Sequence, residues 1–419
     1  MSTPEVRDVV VVGAGMVGLT AALALDQAGL DVVVLEQHPV QLAEAVNAAK
    51  TARQTGFDPR VSALTCASQQ ILTHLGVWPT IEMLGVSPYT DMAVWDGLGT
   101  GKITFSAHAL HEPCLGHIIE NRVTVAGLSC AVEQSGIELQ SGVRVRRMQQ
   151  LEQHRQLELE DGRQIAARLV IAADGAHSAI RKLAGIPMCE WDYGHYALVT
   201  TVQTEQPHQA TAWQCFTEDG PLAFLPLNDG ETQQHCSIVW STSPEHAKAL
   251  MALDDEAFCS ALGQAFEHRL GQVTHTAERF LFPLRQRHAQ YYVKPGFAVI
   301  GDAAHTIHPL AGQGVNLGLL DAAQLAEVIQ QAHQRGEDIG AEAVLRRFQR
   351  ARQTENLKMT ATMETFRQLF GYQNGWLGLV RNTGMRLFEQ LPAVKNHLVL
   401  QAMGLNGSLP ELAKRPIKI

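Results

Sequence analysis

A glycine-rich turn near the start of the chain constrains the fold more than any other feature. The apolar run at residues 8–12 leads into GAGMVG at 13–18, which has the spacing G-x-G-x-x-G. An Ala- and Leu-rich segment with helical spacing follows to Gly29, and a second apolar run at 32–35 ends at Glu36. The order of strand, glycine turn, helix, strand and acid predicts a Rossmann-like dinucleotide-binding unit with a parallel sheet.

Each residue of this motif has a distinct predicted role. Gly13 makes the tight turn, Gly15 admits a pyrophosphate, and Gly18 lets the helix pack on the strand. The N-terminus of the helix then faces the phosphates. Glu36 lies 18 residues past the last glycine, where it can accept hydrogen bonds from the adenosine ribose. An acid at this position favours an unphosphorylated ribose, as in FAD or NAD.

Two further acid–glycine turns follow apolar runs later in the chain. Asp174-Gly175 comes after the run at 168–173, with Ser178 and Arg181 at helical spacing behind it. Gly301-Asp302 comes after the run at 296–300. Because the carboxyl ends of parallel strands meet at one edge of a sheet, these turns predict one ligand contacted from several strand ends. An ordinary Asp-Gly turn and an ordinary strand–turn–helix connection are the alternatives.

The stretch after Asp302 predicts a site for a ligand whose reactive form is an anion. Asp302 itself suits a sugar or ribitol hydroxyl. The glycines at 312 and 314 let backbone N–H groups approach a ligand closely, and a helix is predicted to start near Val315. The N-terminus of that helix supplies about half a positive charge.

Length predicts more than one domain, since 419 residues exceed what one core usually organises. Residues 78–115 and 188–285 contain short, alternating β-like runs, which predict an antiparallel-sheet domain for the substrate. The cofactor-binding domain is then discontinuous, at 1–77, 116–187 and 286–354. Residues 355–419 form a helical C-terminal region, with eight Lys or Arg against four Asp or Glu.

Composition excludes several classes of function. The net charge of −9 gives no basis for nucleic-acid binding, and seven scattered cysteines without a C-x-x-C pair predict a reducing compartment and no metal site. The residues before Val9 lack a basic and apolar stretch, so we expect no secretory signal, and because no apolar run reaches 18 residues we expect no membrane-spanning helix. The apolar stripe in the C-terminal region fits either a membrane- or partner-docking face or a helical layer on the first domain.

Aromatic and apolar residues of the β-rich region are candidates for an apolar substrate pocket. The alternative is that they form half-buried sheet core. The candidates are Trp213, Phe216, Phe224 and Pro226.

In this order and spacing, the motifs resemble those of flavoprotein aromatic monooxygenases with the para-hydroxybenzoate hydroxylase fold. Within that fold the chain is most similar to the ubiquinone-biosynthesis hydroxylases, and among these to the 2-octaprenylphenol ring C5 type. Paralogues that act on other ring carbons share most of the motifs. The matching stretches cover nearly the whole chain: DPRVSAL (58–64), LGHIIENRV (115–123), AADGAHSAIR (172–181), DYGHYALV (192–199), AWQCF (212–216), GPLAFLPL (220–227), GDAAHTIHPLAGQGVNLGLLDAAQL (301–325) and GSLPELAK (407–414).

The resemblance implies an FAD site distributed along the chain. The FAD pyrophosphate and ribose would contact the first glycine motif and Glu36, and Asp302 would hold the ribitol. Arg60 and Arg122 would lie beside the flavin and its phosphate arm, and Asp174 and Arg181 would serve the FAD phosphates and the pyridine nucleotide. The turn that meets the flavin pyrimidine comprises Gly312, Gly314, Val315 and Asn316.

The resemblance also implies the reaction. A flavin C4a-hydroperoxide would deliver one oxygen atom to an electron-rich, polyprenylated phenol ring in ubiquinone biosynthesis. The cofactor carries the difficult chemistry, so no catalytic triad or metal is expected. His308 and Pro309 are the candidates for a catalytic role beside the flavin, whereas His305 is interpreted as a structural neighbour of Asp302.

Partners and location follow from the same resemblance. The electron donor is either NAD(P)H or a ferredoxin-type protein, and the oxidant is molecular oxygen. Expected partners are the membrane surface, other ubiquinone-biosynthesis proteins and a second copy of the chain, at a cytoplasmic location peripheral to the inner membrane. An isoprenoid epoxidase or reductase that uses FAD, and a non-catalytic flavoprotein scaffold, remain the alternative functions.

Overall fold

The computed structural model describes residues 6–306, 314–371, 400, 403–405 and 407–415, without the side chains of 362–371. The strands are β1 Val6–Val12, β2 Val32–Glu36, β3 Val61–Leu64, β4 Ser87–Tyr89, β5 Asp91–Asp96, β6 Lys102–Ser106, β7 Gly116–Glu120, β8 Glu138–Ser141, β9 Val145–Gln150, β10 Arg155–Leu159, β11 Gln164–Ala172, β12 Met188–Thr204, β13 Thr211–Thr217, β14 Gly220–Leu227, β15 His235–Thr242, β16 Val273–Thr276, β17 Phe280–Ala289, β18 Val293–Lys294, β19 Phe297–Val299 and β20 His305–Thr306. The helices are α1 Met16–Gln27, α2 Ala45–Thr55, α3 Cys66–His74, α4 Trp78–Leu84, α5 Asn121–Ser135, α6 Ala179–Leu183, α7 Pro244–Ala252, α8 Asp255–Ala265, α9 Gly314–Gln334 and α10 Glu342–Gly371.

The first sheet is built on parallel strands in the order β8-β2-β1-β11-β19, with β18 antiparallel at one edge and the β9–β10 pair extending β11. Val10 pairs with Val33 on one side and Val170 on the other. All three are buried, as expected for β-branched residues in a parallel sheet covered on both faces. The carboxyl ends of β1, β2, β11 and β19 therefore meet at one edge, which confirms the predicted convergence of the three turns.

The second sheet has nine strands and is antiparallel except where β13 runs parallel to β5. Its outer face, which carries Phe224 and Ile238, packs on α7 and α8. Its opposite face, called here the inner face, carries Leu225, which packs against Ala63 and Ile118 of a small third sheet, β3-β7-β4. The inner face is thus turned toward the first domain.

The short turn around Asp302 is one of the places where the chain passes from the first sheet to the second. β19 ends at Val299, and the 3-10 turn Gly301–Ala303 leads into β20. β20 then adds to the edge of the second sheet, where His305 pairs with His288 of β17. Asp302 therefore lies at the junction between the two sheets.

The predicted α/β class, with a Rossmann-like sheet and a mostly antiparallel second sheet, is confirmed. Two local elements differ from what their composition favours. The polar stretch at 41–59, which is typical of a loop, contains α2, and the segment from residue 60, which has helical character, begins with β3 before α3. β3 forms because Val61–Leu64 pairs with β7, a tertiary contact that overrides local propensity.

The division into domains remains a proposal, and two of its boundaries need correction. α4, placed in the substrate domain, packs into the core of the first sheet through Trp78, Ile81 and Leu84. β17 continues to Ala289, past the boundary at residue 285. Boundaries drawn by packing and sheet membership would assign α4 to the first domain and would extend the second domain to the end of β17 at Ala289.

The C-terminal region is only partly described. Phe348 and Arg352 of α10 are buried against the first domain, so this part of the helix is a packed layer. The apolar stripe proposed for docking, from Met363 onward, lies outside the described side chains. Among the described helices, none combines the length and apolar character needed to cross a bilayer.

Candidate cofactor and active site

The glycine turn after β1 leaves the N-terminus of α1 open. Gly13 has φ +111°, and a Cβ there would lie 2.4 Å from the carbonyl oxygen of Ala173. A Cβ at Gly18 would lie 2.0 Å from the carbonyl oxygen of Gly13, so both positions require glycine. At Gly15, in contrast, a Cβ would meet nothing within 4 Å, and no side chain caps α1. The first N–H groups of α1 therefore face space that an anion can occupy.

Glu36 stands beside this turn at the end of β2. One carboxylate oxygen accepts a hydrogen bond from Ala14 N–H at 2.7 Å, and the other accepts one from His38 N–H at 2.9 Å. The carboxylate thus holds the glycine turn against β2. Each oxygen keeps a second lone pair, which suits the predicted contact with ribose hydroxyls.

Asp302 presents an accessible carboxylate at the junction of the sheets. It accepts no hydrogen bond from the residues that the structure describes. The surrounding protein atoms desolvate the carboxyl group and raise the pKa of Asp302, although His305 and Arg287 nearby favour the anion. An accessible acceptor that no described residue engages is suited to bind a hydroxyl group of a ligand.

Asp174 and Arg181 hold the turns next to Asp302 in place. The Asp174 carboxylate accepts hydrogen bonds from the Ser178 hydroxyl and, at 2.8 Å, from Ala179 N–H, so it caps α6. The buried Arg181 guanidinium donates to the carbonyl oxygen of Ala303 at 2.9 Å, which ties α6 to the Asp302 turn. The predicted contacts of both residues with FAD phosphates or a pyridine nucleotide remain predictions.

The start of α9 is anchored by the side chain of Asn316. Its Nδ2 donates to the carbonyl oxygen of Ala63 at 2.8 Å, and its Oδ1 accepts from Thr65 N–H at 3.0 Å and from the Ser68 hydroxyl at 2.7 Å. These contacts commit the side chain to the protein. A ligand at this helix would therefore meet the backbone N–H groups of the first turn, which begins at Gly314.

Two helix N-termini converge near Asp302. The side chain of Val17 in α1 contacts both Gly301 and Gly318, and a Cβ at Gly318 would lie 2.6 Å from a Val17 methyl group. Val315 is half-buried in the same first turn of α9. This close crossing places the positive ends of α1 and α9 on the same side of the junction.

The two predicted arginines differ in availability. The Arg60 side chain is exposed, and among the described residues no hydrogen bond or ion pair engages its guanidinium group. An Nη of Arg122 lies 2.5 Å from a carboxylate oxygen of Glu120 and donates to the carbonyl oxygen of Gly56 at 2.6 Å. Arg60 is thus free to contact a ligand, whereas Arg122 organises the loop before β3.

A buried polar network behind the Asp302 turn was not predicted. His305 Nε2 lies 2.5 Å from one oxygen of Asp321, and Arg352 Nε donates to the other at 2.8 Å. Asn356 also donates to Asp321, and Gly301 N–H donates to it at 3.2 Å. Burial disfavours the Asp321 anion, but the charges of His305 and Arg352 outweigh it and hold the pKa of Asp321 at about 2.

This network fixes the backbone of the junction turn. The sequence indicates this network only through Asp321, an acid within the apolar face of a predicted helix. Its partners on α10 cannot be predicted from the spacing of residues. The candidates His308, Pro309 and Gly312 lie outside the described residues.

Three of the four predicted pocket residues lie on the outer face of the second sheet. Phe224 is fully buried on the outer face and stacks on Phe266, with ring centroids 3.7 Å apart. Strand register places Trp213 opposite Phe224, and Pro226 opposite Cys236 of the same outer core. These three residues are sheet core or outer surface, as the alternative interpretation held.

The inner face carries a different apolar set. Ala223, Leu225 and Val239 are half-buried there, in the middle of the sheet, and Phe216 shares this face. The inner face therefore presents an apolar surface toward the first domain, and the place of Phe216 in a substrate pocket stays a prediction.

These features fit FAD. The N-terminus of α1, the acid at the end of β2 and the Asp302 carboxylate, which no described residue engages, lie along one sheet edge and could supply anion and hydroxyl contacts there. The family model of the FAD binding domain matches residues 7–358.

Relatives and solved structures agree with that match. The chain is 36% identical to the 3-demethoxyubiquinol 3-hydroxylase of Escherichia coli (strain K12), covering 96% of this chain and 100% of the relative. It is 33% identical to the mitochondrial ubiquinone biosynthesis monooxygenase COQ6 of Xenopus tropicalis, covering 94% and 93%. The crystal structure of p-nitrophenol 4-monooxygenase PnpA from Pseudomonas putida DLL-E4 superimposes with a TM-score of 0.75 at 20% identity, covering 97% and 99%, which shows a shared fold.

Proposed function

This chain belongs to the FAD binding domain family and is an FAD-dependent monooxygenase, and we propose that it hydroxylates the ring of a polyprenylated phenol in ubiquinone biosynthesis. The observation that carries the proposal is the position of Asp302. Its carboxylate, which accepts no hydrogen bond from the described residues, lies at the junction between the cofactor sheet and a second sheet whose inner face is apolar. A flavin held there would face the ring of an apolar substrate.

The residues of the chain would bind and orient both molecules. The N-terminus of α1 would hold the pyrophosphate, Glu36 the adenosine ribose and Asp302 the ribitol. The N-terminus of α9 would stabilise negative charge on the flavin pyrimidine by about 0.3 to 2 kcal/mol. FAD, when bound, supplies the redox chemistry with molecular oxygen. Leu225 and Val239 would exclude water from the reacting ring.

The ring carbon, the prenyl length and the electron donor belong to the proposal as well. Motif resemblance favours ring C5, whereas the Escherichia coli relative is named for hydroxylation at position 3. For the donor, NAD(P)H and a ferredoxin-type protein both remain in the proposal. A polyprenylated substrate resides in lipid, so we also propose that the protein contacts the membrane surface. Other ubiquinone-biosynthesis proteins and a second copy of the chain are further proposed partners.

Mass analysis of quinone precursors in a deletion strain tests this function. We expect a ubiquinone precursor that lacks one ring hydroxyl to accumulate, and its structure identifies the ring carbon. The wild-type gene should restore ubiquinone, whereas Gly15→Ala, designed to fold without binding FAD, should not. An unchanged quinone profile on deletion would refute the proposal, and rescue by the variant would favour a non-catalytic scaffold.

A further inference from the structure

Two cysteines are neighbours outside the cofactor and substrate site. Cys66, the first residue of α3, and Cys114, just before β7, are both buried, and all seven cysteines are free. The Cys66 sulfur lies 3.9 Å from the carbonyl oxygen of Cys114, and the interaction between the two side chains raises the pKa of Cys66 and lowers the pKa of Cys114. None of the cofactor contacts described above uses either thiol.

The surroundings of this pair favour a thiolate. His117 Nε2 lies 3.8 Å from the Cys114 sulfur, and the Arg415 guanidinium lies beside Cys66 while it pairs with Glu112 at 2.6 and 2.9 Å. The interaction with Cys66, helped by His117 and opposed by burial, lowers the pKa of Cys114 to about 5. A thiolate beside a second thiol is the arrangement of reactive cysteine pairs.

We propose that Cys66 and Cys114 form a reversible disulfide when a peroxide reaches them, and that this bond weakens FAD binding. The bond itself does not depend on the proposed hydroxylation. Only the local source of peroxide, two-electron reduction of oxygen at a flavin, rests on that function.

The chemistry balances with hydrogen peroxide as the oxidant. The Cys114 thiolate attacks one peroxide oxygen, the O–O bond breaks, and a sulfenic acid and one water form. The Cys66 sulfur then attacks the Cys114 sulfur, the S–O bond breaks, and a second water leaves. Two thiols lose two electrons and two protons, and one peroxide becomes two waters.

Hydrogen bonds connect this pair to the cofactor helix. Thr65, directly before Cys66, caps α3 and donates its N–H to Asn316 at 3.0 Å. Ser68, in the first turn of α3, also donates to Asn316. A disulfide brings the sulfurs to about 2.05 Å, much closer than a hydrogen bond between thiols. Drawing Cys66 toward Cys114 should therefore displace the start of α9, which faces the flavin.

The experiment treats purified, FAD-loaded protein with hydrogen peroxide, quenches it in denaturant with an alkylating reagent, and maps the peptides by mass spectrometry. We expect a peptide that links Cys66 to Cys114, which disappears after dithiothreitol. Titration with FAD should show affinity reduced about five-fold or more in the oxidised protein and restored on reduction, as for an ordinary coupling between two sites. Cys130→Ser, which removes a half-buried thiol elsewhere, should behave like wild type in both measurements.

A different outcome is expected if solvent exposure alone decides which cysteines are oxidised. Cys130 and Cys189 are half-buried and thus more accessible than the proposed pair. They would then be oxidised first, and Cys66 and Cys114 would be recovered in alkylated form. That result would overturn the proposed disulfide. In Cys66→Ser we expect Cys114 to stop at the sulfenic or sulfinic acid and FAD affinity to become insensitive to peroxide. A linked peptide without any change in FAD affinity would overturn the coupling to α9.

Discussion

Asp302 combines an accessible carboxylate with a pKa raised by the protein atoms around it. Exposed acids are ordinarily hydrated, and buried ones are ordinarily hydrogen-bonded by protein groups. At Asp302 the described residues supply no donor, while Arg181 and the Asp321 network hold the backbone on either side. The turn thus holds an accessible acceptor in place, and the described residues leave it available to a ligand hydroxyl.

Replacement of Asp302 with asparagine should weaken FAD binding about 10- to 100-fold, because a hydrogen bond to a charged group contributes about 1.5 to 3 kcal/mol. Fluorescence titration of the apoprotein with FAD measures the change. Asp255→Asn, on the exposed surface of α8, is the matched control and should bind like wild type. An Asp302→Asn protein that retains wild-type affinity would remove Asp302 from the cofactor site.

His288 should make stability depend on pH. It is buried, and none of the described residues hydrogen-bonds either ring nitrogen. Desolvation, followed by the neighbouring His305, lowers the pKa of His288 to about 4. The unfolded chain binds the proton near pH 6.5, so His288 destabilises the fold as pH falls from about 6.5 to about 4.

Replacing His288 with phenylalanine should remove this pH dependence. The free energy of unfolding should then fall less between neutral and acid pH, by up to about 3 kcal/mol at the acid end. Urea unfolding between pH 7 and pH 4.5 measures the slope, and His333→Gln, on the exposed side of α9, serves as control. An equally steep slope in the His288→Phe protein would show that other groups cause the acid instability.

At the scale of elements, two glycines of the same turn should affect different properties, Gly15 the binding of FAD and Gly18 the stability of the fold. Gly15→Ala meets no protein atom within 4 Å, so we expect a wild-type melting temperature together with loss of FAD, since the methyl group occupies the anion space. Gly18→Ala places a Cβ 2.0 Å from a backbone oxygen and should lower the melting temperature of the apoprotein itself. Calorimetry of both apoproteins, with FAD titration, distinguishes them; a Gly15→Ala protein that binds FAD normally would contradict the assignment.

The two faces of the second sheet predict opposite defects. Val239→Phe adds bulk to the inner face and should lower kcat/KM about 5- to 150-fold, as for about 1 to 3 kcal/mol of overpacking, with FAD affinity unchanged. Phe224→Ala empties the outer core and should cost about 3 to 5 kcal/mol of stability. Steady-state kinetics and urea unfolding compare the two variants. If Val239→Phe leaves kcat/KM unaltered, the substrate lies elsewhere.

Local patterns account for what could be predicted among these elements. The strands, the glycine turn and Glu36 lie within one short stretch, so their contacts are encoded by spacing. Alternation along β14 shows that Phe224 and Leu225 point to opposite faces, but it does not show which face the helices cover. That choice depends on α8 and on Phe266 directly after it, which stacks on Phe224 from a distant part of the chain.

At the scale of the whole molecule, long-range polar contacts explain the remaining failures of prediction. Asp321 is joined to Arg352 and Asn356 of α10 and to His305 of β20, none of which is adjacent to it in sequence. Thr65 and Asn316 are likewise separated by most of the chain. Such contacts appear only once helices and sheets are packed, and they hold the junction turn that connects the cofactor sheet to the substrate sheet.

The most direct measurement uses isotopically labelled molecular oxygen with the purified protein, FAD, a reductant and a prenylated phenol. We predict that one labelled oxygen atom appears in the product as a new ring hydroxyl and the other in water, and that the reaction requires FAD. A product without the label, or oxygen consumed entirely as peroxide with the ring unchanged, would contradict the proposed hydroxylation.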